Sequence, residues 1–143
     1  MSGKGHIEFF FEEVNIPGFS KKKVREWIIK TIAEEGGTPG AITYVFCKDD
    51  YLLKLNLEFL DHDTLTDIIT FDYGEDTGNI SGDIFISVER VRENAAGLNL
   101  SFSEELNRVI IHGVLHLLGY KDKSPDDEML MRQKENYYLT LQA

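Results

Sequence analysis

The sequence predicts a mixed α/β (α+β) domain in which helices cover one sheet of about four strands. Segments with strand-like alternation or β-branched runs are interleaved with about five segments whose apolar residues recur at helical spacing. Turns containing Gly and Pro separate them. With 143 residues, 42% of them hydrophobic, the chain is long enough for one real core. We therefore expect residues 1–143 to form a single domain.

The first two elements are a strand and a helix. Residues 6–14 alternate apolar with acidic side chains, which predicts a half-buried strand. Ser20 is a suitable N-cap for the first helix, and Gly36 and Gly37 end it. Residues 41–47 are rich in Thr, Tyr, Val and Phe and predict the second strand.

A second helix and two further strands follow. Asp49 is the expected N-cap of a helix that runs to about Leu60. Residues 67–73 and 80–88 predict the third and fourth strands, which a turn at residues 74–78 joins as an antiparallel pair. The order of the other elements permits parallel pairing. Gly82, next to Asp83, indicates a bulge or a close approach of two backbones.

The last three helices have clear start signals. Ser87 is the expected cap of a helix that ends near Gly97. Ser101 and Glu104 form a capping box before a helix with apolar residues on broad sides, which predicts a central, buried position. Ser124, followed by Pro and three acidic residues, predicts the start of the last helix.

The predicted central helix carries the pattern of a metal site. His112 and His116 are four residues apart, so both imidazoles point to one side of the helix. Gly119 can adopt the left-handed conformation that ends a helix, which lets Asp122 return toward the imidazoles. Two histidines and one carboxylate leave a coordination position open for water, as in zinc hydrolases.

Two competing interpretations concern the same residues. His112 and His116 could be core residues with satisfied ring nitrogens, although the helical pair, the glycine and the acid together favour a metal. Asp122 could also be only an exposed turn residue beside a site with two ligands. We expect one divalent ion, with Zn²⁺ as the first candidate, held by His112, His116 and Asp122.

Composition limits the partners. The 25 acidic and 15 basic residues give a formal charge of −10, which opposes binding through indiscriminate attraction to phosphate. A nucleic-acid substrate would need a local positive site, which a bound divalent ion supplies in part. The basic run at residues 21–25 is a second candidate, although a solvated face is the commoner role of so short a run.

Cysteine usage and hydropathy indicate the compartment. The single cysteine, Cys47, cannot form a disulfide within the chain. No early apolar run resembles a signal peptide or a membrane span. We expect a reducing, cytoplasmic setting and no membrane partner.

Gly113 helps to choose between amide and phosphodiester hydrolysis. Zinc peptidases carry a Glu after the first His, where it acts as general base and then protonates the leaving amine. Its absence here argues against a peptidase, although the histidine spacing overlaps that of metzincins. A phosphodiester depends more on charge stabilisation by the metal, and RNA offers its own 2′-hydroxyl as a nucleophile.

The chain resembles the YbeY family of bacterial endoribonucleases over nearly its whole length. The resemblance rests on LN at residues 55–56, TDIITF at 66–71, SGDI at 81–84 and HGVLHLLGY at 112–120. It implies a metal-dependent hydrolase of single-stranded RNA that matures the 3′ end of small-subunit ribosomal RNA and contributes to ribosome quality control. Ribosomal or small-subunit protein partners are implied by the resemblance alone.

The sequence departs from the family pattern at two positions. Asp122 stands where the family usually has a third His, and Leu60 stands where it commonly has an Arg near the phosphate site. Leu cannot form a bidentate phosphate clamp, so His62, Lys121 and Lys123 become candidates for substrate binding. An exposed structural role is at least as common for each of them.

Other matching residues carry no assigned chemistry. We expect Asn56, Asp67 and Asp83 to be structural rather than catalytic. No side chain stands out as general base, so water on the metal, or the RNA 2′-hydroxyl near it, is the expected nucleophile. Two other functions remain open: a zinc metallopeptidase, and a non-catalytic ribosome assembly factor with a structural metal.

Overall fold

The computed structural model describes residues 6–60, 66–74 and 79–142, apart from the side chain of residue 60. In these ranges the chain forms four strands and five α-helices. The order is β1 (His6–Phe11), α1 (Lys21–Glu34), β2 (Thr38–Cys47), α2 (Asp49–Leu55), β3 (Ile68–Asp72), β4 (Asn79–Ser87), α3 (Val88–Gly97), α4 (Phe102–Leu117) and α5 (Pro125–Leu139). A π-helical turn, Asn56–Leu60, follows α2 directly. The predicted mixed α/β class is confirmed.

The four strands form one mixed sheet in the order β1-β2-β4-β3. β1, β2 and β4 are parallel, and their register aligns Phe9, Tyr44 and Ile84 in one row across the sheet. β3 is antiparallel to β4, as predicted for the hairpin. Of the turn predicted at residues 74–78, only Gly74 lies in the described part of the chain.

Gly82 marks a close approach of two backbones, as its sequence context predicts. A Cβ atom at this position would lie 2.3 Å from the carbonyl oxygen of Phe71 on β3. On the other side of β4, the pairing with β2 shifts register between Pro39 and Ile42. A glycine is therefore required where β4 is pressed between its two neighbours.

α4 is the central helix, because its apolar residues pack into the main core. Ile110, Ile111, Val114 and Leu115 have no exposed surface. They pack with α1 and with the row of strand residues on one face of the sheet. This confirms the expected burial of the helix, which gives the site a rigid support.

Helix start signals predict the observed boundaries better than strand patterns do. Each predicted serine cap accepts a hydrogen bond from the backbone N–H three residues later, and the capping box before α4 is complete; the four caps are Ser20, Ser87, Ser101 and Ser124. β1 ends at Phe11, three residues before the end of the predicted strand, and Glu13 beyond it has a positive φ of 59°.

The predicted cap at Asp49 is wrong. Lys48 occupies the cap position without a side-chain hydrogen bond, and Asp49 is the first helical residue. Its carboxylate instead accepts hydrogen bonds from Ser87 Oγ at 2.7 Å and from Arg90 Nη2 at 2.8 Å. A long-range contact with the start of α3 has taken the place of the local cap.

Among the described residues, no helix is long and apolar enough to span a bilayer.

Candidate metal centre

The end of α4 brings an imidazole and a carboxylate to the distance that two metal ligands have. Gly119 has a φ of 109°, which confirms the predicted left-handed turn after the helix. The turn returns Asp122 toward the helix, so that its Oδ2 lies 3.5 Å from Nε2 of His112. A tetrahedral zinc ion with bonds of about 2.0–2.2 Å separates its ligand atoms by roughly 3.3–3.6 Å.

His116 lies one helical turn from His112. The two ring centroids are 6.3 Å apart and the ring planes differ by 9°, so both imidazoles face the same way. Nδ1 of His116 is buried and has no hydrogen-bond partner within the described chain. A buried ring nitrogen without a partner is unfavourable, and it does not agree with the alternative in which His116 is a core residue with satisfied ring nitrogens.

The donor types fit a divalent transition metal, although the described residues do not enclose one. Two imidazoles and a carboxylate are typical ligands of zinc. Within residues 6–60, 66–74 and 79–142, no three His, Cys, Asp or Glu side chains are grouped tightly enough to hold an ion. The pair formed by His112 and Asp122 is the part that already has ligand spacing.

Glu135 on α5 orients His112. Its Oε2 lies 2.7 Å from Nδ1 of His112, and the residue is only 4% exposed. Nδ1 donates to this carboxylate, which leaves Nε2 directed at Asp122. Arg108 holds the same carboxylate from the other side, with Nη1 2.9 Å from Oε1. Nη2 of Arg108 donates to Asn136 Oδ1 at 2.9 Å.

Glu135 was not predicted from the sequence. Its only signal was position, because Glu135 lies four residues after Met131 and three before Tyr138, both of which are buried on the inner face of α5. An acid on an otherwise apolar face needs a partner. Nothing local in the sequence shows that this partner is His112, 23 residues away.

The pKa values of this pair shift in opposite directions. Burial alone would lower the pKa of His112, but the hydrogen bond and charge of Glu135, with the charges of Asp122 and Asp67, raise it overall. Burial alone would raise the pKa of Glu135, but hydrogen bonds from His112 and Arg108 lower it overall. Glu135 therefore stays ionised and keeps the proton on Nδ1 of His112.

A cleft of about 430 Å³ lies beside His112. It is bounded by α4, α5, the turn after α4 and the start of β3. Its charged lining residues are Asp67, Glu105, Arg108, His112, Asp122, Glu128, Arg132 and Glu135. Asp67 thus faces the same space as His112, whereas the Asp83 carboxylate accepts a hydrogen bond from Tyr73 Oη at 3.2 Å. Asn56 is buried at the start of the π-helical turn.

The described residues among the predicted substrate contacts do not line this cleft. Lys121 and Lys123 are exposed in the loop between α4 and α5, on either side of Asp122, and do not line the cleft. His62 lies outside the described residues. Leu60 ends the π-helical turn, and its side chain is not described.

Two residues of the basic run pack on β1 instead of facing the cleft. Arg25 donates from Nε to the Ile7 carbonyl at 2.8 Å and lies over the ring of Phe9. The Lys21 ammonium is 5.7 Å from the centre of the Phe11 ring. These contacts give both side chains a structural role on the first strand.

Packing against β4 explains why residue 113 is a glycine. A Cβ atom there would lie 3.0 Å from Cγ2 of Ile84 on β4, so a side chain would point into the sheet. The position after the first histidine therefore faces the core. A peptidase-like Glu at this place would collide with β4 rather than reach a substrate.

Comparison with known proteins agrees with this architecture. The family model described as Endoribonuclease YbeY matches residues 6–142. The chain is 58% identical over 112 residues to Endoribonuclease YbeY of Flavobacterium johnsoniae, covering 78% of this chain and 79% of that protein. It is 48% identical to the Porphyromonas gingivalis protein of the same name, covering 94% and 89% of the two chains.

A solved structure shows the same fold. The solution structure of TM1509 from Thermotoga maritima superposes with a TM-score of 0.65 and is 29% identical in sequence. The match covers 93% of this chain and 86% of that one.

Proposed function

Because this chain belongs to the Endoribonuclease YbeY family, we propose that it is a metal-dependent endoribonuclease that cleaves single-stranded RNA in the cleft beside His112. The observation that carries the proposal is the arrangement of His112 itself. One ring nitrogen is fixed by Glu135, and the other lies 3.5 Å from Asp122 at the edge of the cleft. This is how a metal-binding histidine is held between a carboxylate and its ion.

In this proposal His112, His116 and Asp122 hold one divalent ion, with zinc as the first candidate. The donor types and the unpartnered nitrogen of His116 support this set. When bound, such an ion polarises a phosphoryl oxygen and acidifies water next to it.

The protein's own residues prepare this site. Glu135 keeps the proton of His112 on Nδ1, so that the lone pair of Nε2 is available to the ion. Arg108 fixes the position of Glu135. The cleft is bounded by α4, α5, the turn after α4 and the start of β3.

The resemblance to the family supports a proposal for the biological substrate. We propose maturation of the 3′ end of small-subunit ribosomal RNA, a contribution to ribosome quality control, and contact with ribosomal or small-subunit proteins, in the cytoplasm. We propose Lys121, which is exposed next to Asp122, as a contact for RNA outside the cleft. His62 is the other candidate for such a contact.

A second candidate function is ribosome assembly with a structural metal. It is favoured by Leu60 in place of an Arg, because the site then lacks one positively charged side chain for binding the RNA phosphate. The peptidase alternative is less well supported, since Gly113 faces β4.

Cleavage by a histidine variant with a matched control tests the proposal. We expect the zinc-loaded protein to cut a single-stranded RNA carrying the 3′ end of small-subunit ribosomal RNA, and His112→Ala to lose at least about 100-fold in rate. His6→Ala removes an exposed histidine from the start of β1 and should cleave like the wild type. Full cleavage by His112→Ala would overturn the metal mechanism.

The same preparations separate the alternatives. Cleavage of a denatured protein with no action on RNA would indicate a peptidase. Normal ribosomal RNA maturation in cells that carry His112→Ala together with His116→Ala would indicate an assembly factor. A maturation defect as severe as that of gene deletion would support catalysis.

A further inference from the structure

A buried carboxylate near the opposite end of the cleft has no role in the proposed histidine site. Glu105, on the first turn of α4, is 6% exposed and lines the cleft. Its Oε1 is buried without a hydrogen-bond partner among the described residues. Seven residues separate Glu105 from His112, so both lie on one face of α4, roughly 10 Å apart along its axis.

Asp67 supplies a second carboxylate to the same region. It precedes β3, whereas Glu105 belongs to α4, and both line the cleft. Burial raises the pKa of Glu105, and the negative charge of Asp67 raises it further. The two carboxylates therefore line one cleft with charges of the same sign, and no hydrogen bond joins them among the described residues.

The nearby arginines do not form hydrogen bonds with Glu105. Arg108 directs its two terminal nitrogens at Glu135 and Asn136. The side chain of Arg132 is 65% exposed, and its Nε is 4.0 Å from Glu135. Both arginines act on Glu105 through space, and neither donates a hydrogen bond to its buried oxygen.

The net negative charge of the whole cleft also favours the binding of a cation. Five carboxylates and two guanidinium groups line it, which gives a formal charge of −3 with His112 neutral. One divalent ion at the histidine site changes this to −1, which still repels an RNA phosphate. A second divalent ion makes the cleft positive.

We propose that Glu105 and Asp67 form a second cation site, for a hard divalent ion of the Mg²⁺ class. Such ions prefer oxygen ligands, and they are commonly bound by one or two carboxylates together with water and a substrate phosphate. Two protein ligands suffice for this site, so it is compatible with the lack of a group of three among the described residues. The histidine site, with its nitrogen donors, selects a different kind of metal.

The role of the second ion in RNA binding rests on the proposed function. Binding of the ion itself does not depend on that function. Bound between α4 and the start of β3, the ion neutralises Glu105 and Asp67 and attracts the RNA backbone into the cleft. We expect the affinity of the protein for RNA to rise with Mg²⁺ concentration even when zinc is already present.

Manganese titration of zinc-loaded protein tests the second site directly. Calorimetry and Mn²⁺ electron paramagnetic resonance should show one further equivalent of Mn²⁺ per wild-type chain, and Glu105→Gln should weaken its binding at least tenfold. Glu26→Gln makes the same change at an exposed position of α1 and should bind Mn²⁺ like the wild type. The proposal is overturned if zinc-loaded wild type binds no further Mn²⁺, or if Glu105→Gln binds it equally well.

Two further measurements keep the result unambiguous. In the absence of cations, Glu105→Gln should unfold at or above the wild-type temperature, because it removes an unpartnered buried charge. Should it fail to fold, Asp67→Asn replaces it in the titration with the same expectation. Mn²⁺ binding without RNA cleavage would support this site and contradict the proposed nuclease, whereas RNA cleavage by zinc-loaded protein that binds no Mn²⁺ would do the reverse.

Discussion

Two carboxylates tie α5 to the rest of the molecule, and they differ in what holds them. Glu135 is contacted by His112, Arg108 and Arg132. Glu35, which directly follows α1, accepts hydrogen bonds from Tyr120, Lys134 and Tyr138. In both cases burial would raise the pKa of the carboxyl group, and the donors lower it overall.

The difference lies in the donors. A phenol or an ammonium group that binds Glu35 has no further group to offer to a metal. The imidazole of His112 has a second nitrogen, which is directed at Asp122. A lowered pKa therefore does not distinguish a functional carboxylate from a structural one here, whereas the identity of its partner does.

The largest expected effect is on zinc affinity, which should depend on Glu135 and not on Glu35. Glu135→Gln removes the charge that orients and polarises His112, so zinc affinity should fall about 10–100-fold. Glu35→Gln should leave zinc affinity unchanged. Competition with a chromophoric chelator measures both variants, and equal losses of affinity in the two would break the distinction.

Glu35→Gln should lower stability without affecting the metal. Glu35→Gln weakens contacts that join the end of α1 to α5 and to the turn after α4, and it should lower the free energy of unfolding by about 1–3 kcal/mol. Its zinc-loaded form should still cleave RNA at the wild-type rate. Urea unfolding of the metal-free proteins is the measurement, and a variant as stable as the wild type would show that these hydrogen bonds contribute nothing.

The contribution of Glu35 to stability should depend on pH. The folded pKa of Glu35 lies below its unfolded value, so its contribution to stability is present above about pH 4.5 and is lost as the pH falls through the folded pKa. The difference in stability between wild type and Glu35→Gln should therefore shrink as the solution is acidified below pH 4.5. A difference that grows on acidification would contradict the sign of the shift.

The smallest expected change in zinc affinity concerns the basic side chain that is paired with each carboxylate. Arg108→Gln acts on the metal only through Glu135, so zinc affinity should fall by less than about tenfold. Lys134→Gln, the matched change at Glu35, should not affect it. A loss for Arg108→Gln as large as that for Glu135→Gln would show that Arg108 has a more direct role.

Local signals account for what the sequence predicted well. Serine caps, the capping box and the glycine turn are set by backbone hydrogen bonds within a few residues, and the four predicted serine caps and the positive φ of Gly119 are confirmed. The spacing of His112 and His116 is local in the same way. The family was identified from such segments, and the comparisons confirm it.

The residues that were missed depend on long-range pairing. Glu135 on α5 contacts His112 on α4, and Glu105 lines the same cleft as Asp67 from another element. In the sequence, both glutamates resemble residues of a solvated helix face. The wrong cap at Asp49 has the same origin, since its partners Ser87 and Arg90 lie about 40 residues away.

Zinc X-ray absorption on the wild-type protein tests the central claim most directly. With His112, His116 and Asp122 as ligands, the spectrum should show two imidazole nitrogens at about 2.0–2.1 Å and oxygen ligands at a similar distance. The same measurement on His112→Ala should lose one imidazole. A wild-type spectrum with one imidazole or none would contradict the site.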